Sequence, residues 1–163
     1  MNGFISKEES RGMLFIKQPH AKFSYIVPYE QNQYTIRVTL KKTKLTPSYK
    51  NSKIHINMDF DLETELLYGN KKIPYDFDNK ANTDVSQILT KTIKEEISQA
   101  VVQAQKKFVC DYLQFDDAFR MKFPAEFSKM DWEKEFPKIT WAVNVKLKLK
   151  QSTMMDYDDY RTQ

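Results

Sequence analysis

Cysteine, histidine and glycine are scarce in this chain of 163 residues, with 1, 2 and 3 copies. The single cysteine, Cys110, cannot close an intramolecular disulfide, and alone it cannot furnish the ligands of a structural zinc site. Gly3, Gly12 and Gly69 lie far apart, so no glycine-rich loop is available to cradle a phosphate. His20 and His55 stand in no spacing that would bring two metal ligands together. With 6 prolines and no repeated tract, collagen-like and linker-like classes are excluded. No stretch approaches the roughly 18 unbroken apolar residues of a membrane helix. The opening residues, Met1 to Glu9, have neither the apolar segment nor the small-residue cleavage site of a secretory signal; if the natural protein is exported, this chain is expected to be a fragment.

What is present is a globular composition: 40% apolar, 13% aromatic and 29% charged residues, enough for one sizeable core. The formal charge of +4 comes from 26 basic and 22 acidic residues interspersed along the chain, a weak pointer to nucleic acid or anionic lipid. Aromatics such as Phe23, Tyr34, Phe60 and Trp141 fall on the apolar phase of alternating segments. Core packing therefore accounts for them better than base stacking, and no nucleic-acid partner is expected.

Three segments alternate with period two. Tyr34 to Lys41 and Ile54 to Leu62, the second extending toward Tyr68 and a turn at Gly69-Asn70, read as half-buried strands; Trp141 to Lys150 is the last. Shorter strands are expected around Met13–Ile16 and Phe23–Val27, on either side of a turn at Gln18-Pro19-His20. From Asp84 to about Tyr112 the period changes. Val85, Leu89, Ile93, Ile97, Val101, Ala104 and Phe108 lay one stripe on a helix, with Asn82 or Thr83 as N-cap and Lys106-Lys107 at its negative end. At about 1.5 Å per residue it measures roughly 45 Å, close to the length of a 15-residue strand. Short helices follow at Asp116–Lys122, Pro124–Lys129 and Asp131–Phe136. This order predicts an α+β fold: a mainly antiparallel sheet, one long helix packed along it, and short helices before a C-terminal strand. Residues 1–150 read as a single domain and 151–163 as a flexible tail. On the outward face, acidic Asp59, Asp61 and Glu63 are expected beside at least one of the basic strands carrying Arg37 and Lys41 or Lys146, Lys148 and Lys150.

The chemistry of catalysis is sparse. Cys110 sits near a helix C-terminus, where the dipole disfavours a thiolate. The carboxylate pairs Asp59/Asp61, Asp76/Asp78, Asp116/Asp117 and Asp156/Asp158 lack the desolvated pocket that separates two pKa values. Asp76-Phe77-Asp78-Asn79-Lys80 is calcium-loop-like only in composition, without the glycine and the distal glutamate. No catalytic, cofactor-binding or metal residues are assigned.

One stretch is more specific. Gln105 at the end of the long helix, Asp111-x-x-x-Phe115, Arg120-x-x-x-Pro124 and Trp132 before the terminal strand together resemble the C-terminal domain of the Ger(x)C family, lipid-anchored C subunits of bacterial spore germinant receptors. In organisation the resemblance extends over nearly the whole chain. Asp116 and Phe127 stand where the family usually has glycine and tryptophan. The resemblance implies a non-enzymatic interaction or scaffolding domain in nutrient-triggered spore germination. It also implies integral-membrane A and B subunits as partners, and a lipid anchor, absent from this chain, on the outer surface of the spore inner membrane. Gln105, Asp111, Phe115, Arg120, Pro124 and Trp132 are by resemblance motif positions of structural type. The alternative is a small-molecule binding module or enzyme with a pocket between helix and sheet.

Overall fold

A computed structural model describes residues 6–69 and 79–150. Its elements run α1 (Lys7–Lys17), β1 (Lys22–Tyr29), β2 (Asn32–Lys50), β3 (Lys53–Gly69), α2 (Asn79–Val102), α3 (Phe115–Lys122), α4 (Pro124–Phe127), α5 (Trp132–Glu135) and β4 (Thr140–Lys150). The fold is α+β. The sheet order is β1-β2-β3-β4, antiparallel except where β4 returns parallel to β3, the direction a helical crossover between two strands permits. The expected Asn70 turn, the Asp76–Asp78 segment and the tail from Gln151 lie outside the described residues.

Alternation places Ile36, Val38 and Leu40 of β2 opposite Leu66, Thr64 and Leu62 of β3, all on the inner face. A bulge at Lys41–Lys42 then inserts one extra residue, since Leu40 faces Leu62 while Lys42 faces Asp61. One added residue reverses a period-two strand. Beyond it Leu45, Pro47 and Tyr49 turn inward against Met58, Ile56 and Ile54. The expected end of this strand at Lys41 is therefore corrected: the pattern breaks there, and the strand continues to Lys50. Pro47 is tolerated because β1 pairs only as far as Thr39, leaving this half of β2 an edge where a missing N–H costs nothing. Lys122 donates to the Pro47 carbonyl at 2.8 Å.

Met13 to Ile16 belongs to a helix, α1, and not to a strand. Gly12 is the reason the helix can dock: a Cβ there would lie 2.1 Å from the Glu96 carbonyl oxygen, so the α1 and α2 backbones touch. The apolar stripe of α2 is buried from Val85 to Ala104 against the sheet, together with Phe15, Met58, Phe60 and Leu62. The helix starts at Asn79, which leaves Asn82 and Thr83 inside it, not at its cap, and helical geometry ends at Phe108, short of Tyr112. On the outer face β3 lies between both basic strands: Lys42 and Lys44 oppose Asp61 and Asp59, and Lys146 and Lys148 flank Asp61 and Glu63.

Candidate functional site

The last turn of α2 widens to a π-helical pattern over Gln103–Phe108 and stops at Val109, whose φ of 46° is left-handed, a conformation unfavourable for a β-branched residue. The wider turn lets both Ala104 and Gln105 face inward. The Gln105 amide nitrogen donates to the carbonyls of Phe136 and Ile139 at 3.0 and 2.8 Å, and its oxygen accepts from Trp141 Nε1 at 3.1 Å. One buried side chain thus ties the helix end to the start of β4.

Asp111 follows in the loop. Its carboxylate accepts the backbone N–H of Phe115 at 3.1 Å, that of Asp116 at 2.8 Å, and Trp132 Nε1–H at 3.0 Å. It serves the free amides at the start of α3, a capping role performed from three residues before the cap position. Burial pushes the Asp111 carboxyl above its ordinary value, and these three donors work against that rise. The Trp132 indole lies 5.6 Å from the Phe119 ring and 5.5 Å from Phe127. Phe115 is fully buried against Phe136 at 6.2 Å.

The fold therefore gathers Gln105, Asp111, Phe115 and Trp132 around the C-terminus of α2. Arg120 and Pro124 stay outside. Arg120 is exposed and paired with Asp117 at 2.6 Å, and Pro124 opens α4 on the surface. Cys110 is exposed, His20 occupies an exposed turn with φ 59°, and His55 lies on the outer sheet face 2.9 Å from Thr140 Oγ1. Among the described residues no three His, Cys, Asp or Glu side chains form a metal-binding group.

A second polar cluster escapes reading from sequence. Glu96 is 4% exposed. It accepts the Tyr25 hydroxyl at 2.6 Å and pairs with Arg11, whose guanidinium stacks 4.8 Å above the Tyr25 ring. Burial raises the Glu96 carboxyl despite both donors, and it raises the Tyr25 hydroxyl as well. The available signal was Glu96 lying three residues beyond Ile93, within the apolar stripe. The space between α2 and the sheet is filled by apolar side chains; an open groove of about 1010 Å³ lies instead on the flank of α2, bordered by β4 at Leu147.

Comparison with known proteins matches residues 1–153 to the family described as "Spore germination B3/GerAC like, C-terminal". "Spore germination protein KC" of Bacillus subtilis (strain 168) is 29% identical over 138 residues, 82% of this chain and 33% of that protein. The chain thus spans about a third of the length of this curated relative. The crystal structure of the GerBC protein has a TM-score of 0.69 at 18% identity, covering 90% of this chain and 46% of the solved one, a likeness of fold.

Proposed function

The chain belongs to the spore germination B3/GerAC-like C-terminal family, and we propose from that membership that it is a non-enzymatic interaction domain of a germinant-receptor C subunit. In this reading it works in nutrient-triggered germination at the outer surface of the spore inner membrane. The full-length protein is lipid-anchored and assembles with integral-membrane A and B subunits. The six motif residues are structural.

The observation that carries the structural role is where the motif's polar groups go. Gln105 makes three internal bonds and Asp111 accepts three, so neither side chain is left with a free group to act on a substrate. The test is affinity purification of the tagged, full-length subunit from spore membranes. The A and B subunits are expected to co-purify with the unaltered protein and with His20→Ala and His55→Ala forms, and germination with nutrient is expected to persist in both. Absence of the membrane subunits, or loss of germination in a correctly folded histidine variant, would overturn the reading.

A further inference from the structure

β4 is an edge strand. Among the described residues it pairs with β3 on one side only, so alternate N–H and C=O groups along its other side point to an edge that no described strand covers. The groove reaches β4 at one described residue. Its wall is the polar flank of α2 between Thr83 and Gln99, and Leu147 of β4 borders it. Sixteen helical steps at about 1.5 Å give a wall of about 24 Å, the length of about seven extended residues. A strand added to β4 would set alternate side chains into this groove and the others on the outer sheet face.

Charge decides what kind of strand fits. Lys91 and Lys94 stand on the groove wall, and Lys146 and Lys148 are exposed on β4. None of the four forms an ion pair among the described residues. Among the described residues Glu95 is the one acid lining the groove; on β3, Glu63 is paired with Lys41 and Asp59 accepts from Asn144, while Asp61 stands beside Lys146. Lysines on an edge strand also oppose its pairing with a second copy of itself. We propose that β4 and the α2 groove receive an extended, acidic segment of a partner protein as a fifth strand. The backbone supplies the ladder, and the four lysines select carboxylates on both faces. The proposal does not depend on the receptor assignment above.

The test is amide NMR on the labelled chain with three capped heptapeptides: one repeating Glu-Glu-Val, which puts carboxylates on both faces of a strand, one repeating Lys-Lys-Val, and the first with proline at its centre. The glutamate peptide is expected to shift β4 amides and the Thr83–Gln99 flank saturably, to bind about tenfold tighter than the lysine peptide, and to weaken as salt is added. The proline version should lose binding, having lost a ladder donor. The combined variant K91E/K94E/K146E/K148E should reverse the preference, and K91E/K94E serves if the fourfold change unfolds the chain. Four results would overturn the proposal: no β4 response, equal or tighter binding of the lysine peptide, shifts confined to the outer sheet face, or self-association through β4. Protection of the edge amides of β4 from hydrogen exchange in the free chain would overturn it too, because the edge would already be filled.

Discussion

Glu96 and Arg11 carry opposite charges into a space where neither is well hydrated. The pair holds because Tyr25 supplies a further donor and a ring face, although among the described residues the buried Arg11 Nε–H has no partner. Arg11→Ala, which leaves the Glu96 carboxylate buried without its cation, is expected to cost about 3–5 kcal/mol at pH 7, read from urea unfolding. Glu96→Gln, neutral like the protonated form that burial favours, should cost much less. The pH dependence has a definite sign. Burial lifts the Glu96 carboxyl, so the folded chain binds a proton over a range in which the unfolded chain, titrating near 4.3, has released it. Stability from this group is therefore greatest below about pH 4 and falls as pH rises through the raised value. The stability difference between the natural chain and Glu96→Gln should vary over that window and be constant above it; a flat difference throughout would contradict the direction. Asp111 is raised by the same cause. Trp132, half-buried between Phe119 and Phe127, loses both ring contacts and its bond to Asp111 on truncation. Trp132→Ala should cost about 2–4 kcal/mol, below the full range for a completely buried tryptophan. An unchanged melting temperature would show that the indole is only a surface cover.

At the scale of elements, two small features set how large pieces pack. Gly12 permits the α1–α2 contact, so Gly12→Ala should lower the melting temperature even though alanine favours an isolated helix by about 1 kcal/mol. A rise would mean that the helices separate at no cost. Deleting Lys42 would remove the bulge but keep Leu45, Pro47 and Tyr49 facing inward, whereas inserting one alanine between Lys42 and Thr43, just past the bulge, would send them outward. The insertion is expected to abolish folding, whereas the deletion, which keeps the pairing with β3, should leave the chain folded; solubility and circular dichroism separate the two. These same features mark where sequence reading stopped. The even positions of Tyr34–Lys41 and the stripe from Val85 to Ala104 are legible because one strand or helix displays its whole period. The continuation of β2 is not legible, since the bulge breaks the alternation at Lys41. Nor is α1, where Met13-Leu14-Phe15-Ile16 is a run with no period, and the clue at Gly12 is a contact with a helix more than eighty residues away. The motif cluster was half visible: Gln105, Asp111, Phe115 and Trp132 meet, but no spacing announces that Asp111 receives the Trp132 indole.

For the whole molecule, the two polar clusters act on one core from two places on α2, its C-terminal end and the turn at Glu96 before it. Gln105 and Asp111 fasten its C-terminal end to α3, α5 and β4, while Glu96 and Gly12 fasten its body to α1 and β1. Between them the buried apolar residues run without interruption from Phe15 to Phe136 and Ile139, so loosening either attachment exposes surface shared with the other. Residues up to 150 are therefore expected to unfold as one cooperative unit. The probes are conveniently divided. Trp132 and Trp141, the only two tryptophans, both bond near the C-terminal end of α2, so their fluorescence reports that end alone, whereas amide exchange in α1 and β1 reports the other attachment. In urea the fluorescence transition, the loss of α1 and β1 protection and the far-ultraviolet dichroism should share one midpoint, and Arg11→Ala should shift the tryptophan transition although it touches neither indole. A tryptophan midpoint that stays fixed in Arg11→Ala while α1 opens would mean that the long helix does not couple its two attachments, and that the motif end is a separate folding unit.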